Sequence, residues 1–174
     1  MSGDDAAPLI VTALLPRALH SRLTALRRAH FPPERNYLAA HVTLFHALPP
    51  TARGEAARLL STMAAGTAPV AGRIEGLMSL GRGTAIRLSS PAMLALRERI
   101  AAHFHGSLSA QDGHAPRLHV TIQNKVTPEA ARALQAELAG SIAQEDFAFR
   151  GLALHAYRGG PWETLGEYAF RAAP

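Results

Sequence analysis

The chain has 174 residues, of which 48% are hydrophobic and 18% are charged. This size and composition are typical of a single domain that buries a sizeable core. There is no cysteine, which excludes disulfides, thiolate catalysis and cysteine-ligated metal sites. Eighteen Lys and Arg against thirteen Asp and Glu give a net charge of +5, which favours an anionic partner such as RNA or a nucleotide.

The N-terminus is polar and acidic, without the basic and apolar regions of a signal peptide. No apolar run approaches the roughly 20 residues that span a bilayer. We therefore expect a loose tail over residues 1–8, one domain over 9–174, no membrane partner and a cytoplasmic location. The oligomeric state cannot be read from the sequence, and a monomer is favoured.

The first half of the chain reads as strand, helix, strand, helix, strand. The apolar segment 9–15 predicts a buried strand. Leucines at helical spacing after Pro16 predict a helix over 16–30, whose arginines form either a solvated basic face or a phosphate-steering surface. The remaining elements are a strand over 40–47, a helix over 55–65 and a strand over 70–80. The arginines of the first helix are Arg17, Arg22, Arg27 and Arg28.

The second half repeats this order. A strand over 84–88 precedes a helix that Ser90 caps and Pro91 opens. After a loop over 106–116, a strand over 117–126 leads to a helix that begins at Thr127 and Pro128. Strands over 147–157 and 163–171 complete the chain. Two halves, 9–80 and 83–174, with matching element order suggest a pseudo-twofold arrangement.

One four-residue pattern occurs in both halves, as His41-Val42-Thr43-Leu44 and as His119-Val120-Thr121-Ile122. Residues alternate between the two faces of a strand, so His and Thr share one face in each copy. A neutral imidazole removes a proton and a protonated one supplies a proton, while hydroxyls donate to phosphoryl oxygens. Two such strands facing each other would suit phosphoryl transfer without metal or cofactor. Which His is the acid stays open.

Paired His-x-Thr-x motifs in equivalent strands resemble those of the 2H phosphoesterase superfamily, in particular its bacterial 2′-5′ RNA ligase branch. The C-terminal segment 154–170 is similar to the last strand pair of that branch. The resemblance covers the chain from about Leu9. It implies an α+β, bilobal fold, a duplicated β-α-β-α-β unit with antiparallel sheets around a central cleft. It also implies catalysis by His41, Thr43, His119 and Thr121 on 2′,3′-cyclic phosphates or 2′-5′ linkages, with no metal.

A second group of residues is predicted to contact substrate. Phe45 and Gln123 continue the faces of the two motifs, and core packing is the alternative for Phe45. Lys125 lies on the same face if its strand stays regular, although relatives carry Ala-Arg after the motif. The other candidates are Arg35, Tyr37 and Arg158, for which solvated loop positions are the alternative. Tyr157 and Trp162 are predicted to pack the terminal hairpin, and His155 is predicted to be a surface or boundary residue.

Two classes of function follow. The first is a metal-independent phosphoesterase, or a 2′-5′ ligase, that acts on RNA ends or small nucleotide phosphates. The second is a noncatalytic RNA- or nucleotide-binding module. No His-Glu-x-x-His pattern or acidic cluster adjoins the motifs, so we expect neither a metal nor another cofactor.

Overall fold

The computed structural model describes residues 6–174, which form eight strands and four longer helices with two short 3₁₀ turns. In chain order these are β1 (Leu9–Leu14), α1 (Arg17–His30), a 3₁₀ turn (Pro33–Arg35), β2 (Val42–Leu48), a 3₁₀ turn (Pro50–Ala52), α2 (Arg53–Ala65), β3 (Val70–Ser79), β4 (Thr84–Ser89), α3 (Pro91–His103), β5 (His119–Gln123), α4 (Pro128–Leu138), β6 (Glu145–Phe149), β7 (Gly151–Tyr157) and β8 (Trp162–Ala169).

The two predicted helix starts in the second half are confirmed. The Ser90 hydroxyl accepts a hydrogen bond from the Met93 amide, and the Thr127 hydroxyl accepts one from the Ala130 amide. Each cap satisfies an amide that the first turn leaves without a partner, and the proline that follows each cap needs none.

The strands form two four-stranded antiparallel sheets. The first sheet has the order β2-β1-β7-β8, and the second has the order β5-β4-β3-β6. An α+β fold with antiparallel sheets is therefore confirmed. The motif strands β2 and β5 are edge strands of their sheets, and they lie next to each other.

The sheets do not coincide with the halves 9–80 and 83–174, whose boundary stays a prediction. Strand β3 belongs to the first half in sequence but pairs with β4 in the second sheet, while β7 and β8 return to the first. The single strand predicted over 147–157 is wrong. It is divided at Arg150 into β6 and β7, which lie in different sheets, because the chain crosses between the sheets there.

A continuous core packs one face of each sheet against helices. Helix α2 packs on β7 and β8, helices α3 and α4 pack on the second sheet, and α1 packs against β5. Val11, Leu44, Ile86 and Val120 have no exposed surface and supply the strand side of this core. Thr43 and Thr121, on the opposite faces, are only half-buried.

The predicted loose tail lies largely outside the described residues. Within them, Ala7 is buried and the Pro8 carbonyl accepts a hydrogen bond from the Tyr157 amide. Residues just before Leu9 are therefore packed against the fold. Among residues 6–174, no helix has both the length and the apolar character needed to cross a membrane.

Candidate active site

Strand register fixes the face on which each motif threonine lies. Thr43 pairs with Thr12 of β1, and Thr121 pairs with Ala85 of β4. Paired residues of antiparallel strands point to the same face. Thr43 and Thr121 are each half-buried, whereas the residues on either side of them in the chain are buried in the core. The alternation that the sequence predicted is therefore present at both threonines.

The two motif histidines are held in the same way. Nδ1 of His41 lies 2.9 Å from the Ala39 carbonyl oxygen, and Nδ1 of His119 lies 2.6 Å from the Arg117 carbonyl oxygen. A carbonyl only accepts, so Nδ1 carries the proton in both rings. Nε2 of each ring is left as the acceptor when the ring is neutral and as a donor when it is protonated. Each histidine can thus exchange a proton with a ligand through the same atom.

A β-bulge follows each motif threonine and overturns two of the predicted contacts. Thr12 pairs with Thr43 and Val11 pairs with Phe45. Thr12 and Val11 are adjacent in β1, whereas Leu44 lies between their partners in β2 and is the extra residue of the bulge. The extra residue turns Phe45 to the opposite face from Thr43. Phe45 has no exposed surface, and it packs in the core rather than in a position to stack a base.

The same irregularity occurs in β5, between the residues that pair with Ala85 and Thr84. Gln123 therefore turns away from the face of Thr121, and only 6% of it is exposed. Its Oε1 accepts a hydrogen bond of 3.0 Å from the Thr84 hydroxyl. Its predicted place in the cleft is wrong, because its amide is used within the second sheet.

Trp162 and His155, which the sequence did not assign to the site, lie near His41. The Trp162 ring lies 4.6 Å from the His41 ring and 5.4 Å from the His155 ring, measured between centroids. His155 Nε2 lies 2.9 Å from the Thr12 hydroxyl, and its Nδ1 lies 3.1 Å from the Thr164 hydroxyl. Trp162 does belong to the terminal hairpin, where it pairs with Tyr157, but its ring also forms a wall of the site.

This surrounding lowers the pKa of His41 from 6.5 to about 4. The main cause is burial, which disfavours the charged ring; the charge of Arg27, and those of the His155 and His119 rings whenever they are protonated, act in the same direction. The hydrogen bond to Ala39 opposes the shift in part. Burial also lowers the pKa of His155. His41 is therefore neutral at physiological pH.

A buried arginine from each half contacts the motif strand of the other half. Arg27 of α1 donates to the Thr121 carbonyl at 3.0 Å, and Arg97 of α3 donates to the Leu44 carbonyl at 3.3 Å. Only 4% of Arg27 and 1% of Arg97 is exposed. The prediction that Arg27 belongs to a surface basic face is wrong, because its guanidinium is enclosed over the Phe31 ring. These contacts link the two motif strands to both halves of the chain.

Arg87 is a further cation on the motif face of the second sheet. It pairs across strands with His119, so its side chain leaves the sheet on the same side as that imidazole. Arg87 is exposed, and its side chain forms no hydrogen bond or ion pair with another residue of the range 6–174. No motif marks it in the sequence, because its position depends on the register of β4 against β5.

The other predicted contacts have different surroundings. Tyr37 is 61% exposed and lies at a cavity beside His41, whereas Arg35 is exposed in the preceding 3₁₀ turn. Strand β5 ends at Gln123, so Lys125 lies in a turn with a φ of 60° and does not extend the motif face. Arg158 pairs with Glu163 at 2.6 Å and lines a separate cavity near residues 6–8. The predicted strand position of Lys125 is wrong, because β5 ends two residues before it.

The acidic residues among positions 6–174 do not form a set of metal ligands with the motif histidines. Asp112, a buried carboxylate near β2, accepts hydrogen bonds from the His46 and Ala47 amides and contacts the His46 ring. Within the range 6–174, no group of three or more His, Asp or Glu side chains is placed to hold a metal ion.

Comparison with known proteins identifies the family. The model of the 2′-5′ RNA ligase superfamily matches residues 15–161. The chain belongs to this superfamily, which confirms the resemblance drawn from the motifs. Comparison with curated proteins gives no significant sequence match.

Solved structures of low sequence identity share the fold. TT0787 of Thermus thermophilus has a TM-score of 0.64 at 17% identity, over 96% of this chain and all of its own. Escherichia coli LigT in complex with 3′-AMP has a TM-score of 0.61 at 18% identity, over 95% of this chain and 99% of its own. A structure described as a phosphoesterase has a TM-score of 0.61 at 19% identity, over 96% of this chain and 99% of its own.

Proposed function

We propose that the protein is a metal-independent phosphoesterase that acts on 2′,3′-cyclic phosphates or 2′-5′ linkages of RNA ends or small nucleotides. The observation that carries the proposal is the matched pair of imidazoles. Each has Nδ1 fixed by the carbonyl two residues before it, which leaves Nε2 for proton transfer. Membership of the 2′-5′ RNA ligase superfamily supports a phosphoesterase or ligase in general. LigT structures with 3′-AMP, ATP and NADP+ support a nucleotide ligand.

The environment of His41 favours it as the base for hydrolysis. Its lowered pKa keeps the ring neutral, so Nε2 can accept a proton from the attacking water. The water oxygen forms a bond to phosphorus while the bond to the 2′ or 3′ oxygen breaks. His119 Nε2 supplies the proton that the leaving oxygen takes. A bound phosphate anion raises the pKa of His41, because an opposite charge favours the protonated ring, and so makes it a stronger base when substrate is present.

The two threonines and Arg87 stabilise the phosphoryl group. The Thr43 and Thr121 hydroxyls donate to its non-bridging oxygens as negative charge builds on them. Arg87, on the face of His119, adds a positive charge near the same oxygens. In ligation, the 5′ hydroxyl of an RNA replaces water as the nucleophile: its oxygen forms a bond to the phosphorus of the 2′,3′-cyclic phosphate, His41 takes its proton, and His119 protonates the 3′ oxygen as its bond to phosphorus breaks. Cleavage of the 2′-5′ linkage by the 3′ hydroxyl reverses this step, and His41 and His119 then exchange their roles.

Turnover of a panel of 2′,3′-cyclic nucleotides and 2′-5′ dinucleotides, measured with EDTA present, tests the proposal. We expect His41→Ala and His119→Ala each to lower kcat by about 10²-fold or more, because each removes a proton-transfer group. His114→Ala, in the exposed loop before β5, is the matched control and keeps wild-type turnover.

Three results would contradict the proposal. Near-normal turnover in a folded His41→Ala or His119→Ala variant would remove that histidine from the mechanism. Loss of activity in EDTA that zinc, magnesium or manganese restores would make the histidines metal ligands. Nucleotide binding without turnover of any substrate would favour the noncatalytic binding module.

A further inference from the structure

A cavity of about 340 Å³ opens beside His41, on the motif face of the first sheet. Its walls include the Trp162 ring, the exposed Tyr37 ring and the His155 ring. Cavities of this size lie within the usual range for small-molecule sites. Because His41 itself forms part of the wall, a ligand in the cavity would be continuous with one at the histidine pair.

The charges around the cavity suit a neutral ligand. Arg150 and Glu167 both line it, and their side chains approach within 3.8 Å of each other. They largely cancel each other, and burial keeps His155 neutral by lowering its pKa. The cavity therefore offers no net positive site for a second phosphate.

Its polar groups are hydroxyls in fixed positions. Thr12 and Thr164 each contact a different nitrogen of His155, at 2.9 and 3.1 Å. A neutral imidazole donates through one nitrogen and accepts through the other, so one hydroxyl accepts from the ring and the other donates to it. The hydroxyl that accepts keeps its own hydrogen for a ligand, and both keep lone pairs. A flat ring with donors and acceptors on its edge fits this arrangement between aromatic walls.

We propose that this cavity holds the nucleobase of the nucleotide whose phosphate lies between His41 and His119, with Trp162 and Tyr37 as its stacking surfaces. This inference rests on the proposed function for the position of the phosphate. Stacking on an aromatic side chain is tolerant of base identity and is a common means of binding single-stranded nucleic acid. The cavity would thus contribute affinity for a nucleoside on the His41 side of the reacting phosphate.

Trp162 is the only tryptophan of the chain, so its fluorescence reports on this cavity alone. We expect 3′-mononucleotides to quench it in a saturable titration, and ribose 3-phosphate, which lacks a base, to leave it unchanged. Tyr37→Leu should raise the dissociation constant of the nucleotides by about tenfold, the scale of one lost stacking contact. Tyr157→Leu is the matched control, since Tyr157 is also exposed but lines a different cavity with Arg158.

Kinetics provide a second measurement. Trp162→Leu should raise KM for 2′,3′-cyclic nucleotides by about tenfold more than KM for the baseless ribose 2,3-cyclic phosphate, because the change beside His41 affects both substrates and only the nucleotides lose a stacking contact. Equal quenching by ribose 3-phosphate and nucleotides, or equal KM changes for the two substrates, would overturn the nucleobase assignment. Saturable quenching by nucleotides in a protein that turns over no substrate would instead retain the cavity and reject the catalytic proposal.

Discussion

His41 makes the stability of the protein depend on pH in a direction that the structure specifies. Its pKa is about 4 in the folded chain, against 6.5 as the ordinary value. Between these values the unfolded chain binds a proton that the folded chain does not, so stability falls as pH falls. The stability that the neutral His41 ring contributes is fully present above pH 6.5 and is lost progressively as the pH falls toward 4. From pH 7 to pH 5 the loss due to His41 is about 1.8 kcal/mol.

The variant His41→Gln removes this titration and keeps a polar side chain of similar length. Urea unfolding of wild type and variant at pH 7 and pH 5 gives the difference directly, because other titrating groups contribute to both proteins. His155 also has a lowered pKa and makes both proteins less stable at pH 5. We expect the wild type to lose about 1.8 kcal/mol more than His41→Gln, and His114→Gln, a control in an exposed loop, to follow the wild type.

Equal losses in the wild type and His41→Gln would refute the reasoning. The ring would then carry a proton in the folded chain as readily as in the unfolded one, and burial beside Trp162 would not keep it neutral. The assignment of His41 as the base for hydrolysis would lose its physical support at the same time. A supporting result also requires that kcat/KM keep its value well below pH 6.5, since this parameter reports the free enzyme.

The other predictions concern groups around the histidine pair. Thr43→Val and Thr121→Val keep the side-chain shape but remove a donor, so each should lower kcat roughly 10- to 10³-fold, and wild-type rates in both would make the hydroxyls structural. Arg87→Glu should raise KM and weaken the salt dependence of kcat/KM more than Arg28→Glu does, because Arg87 shares the face of His119 and Arg28 lies on the exposed side of α1. Equal effects of the two variants would indicate diffuse electrostatic attraction of the substrate. Arg27→Met should destabilise the fold by about 2 kcal/mol and lower kcat, whereas Arg28→Met should change the free energy of unfolding by less than about 0.5 kcal/mol, with urea unfolding as the measurement.

Local patterns in the sequence predicted the features that depend on neighbours in the chain. The spacing of the leucines predicted α1, and the capping residues Ser90 and Thr127 predicted where α3 and α4 begin. Both signals depend only on residues that are close together in the chain. The paired motifs identified the family for the same reason. Element ends moved by a few residues, as for β5, which is shorter than the predicted strand over 117–126.

The site residues that the sequence did not predict depend on contacts between distant segments of the chain. Arg27 looked like one of four surface arginines, and only the approach of α1 to β5 makes it a buried donor to Thr121. Trp162 lies 121 positions after His41 in the chain, and the order β2-β1-β7-β8 brings the two rings together. No spacing rule predicts such contacts, since each depends on how strands from distant segments are ordered in a sheet.

The two β-bulges explain why Phe45 and Gln123 do not continue the polar face of the two motifs. In a regular strand Phe45 and Gln123 would follow Thr43 and Thr121 on the polar face and occupy space next to the phosphate. The bulge after each threonine turns them into the interior, where Phe45 packs under Arg97 and Gln123 bonds to Thr84. The bulges therefore keep the Phe45 and Gln123 side chains out of the space beside the two motif hydroxyls. Because the same irregularity occurs at the equivalent place in both sheets, we infer that it belongs to the architecture of the site as much as the histidines do.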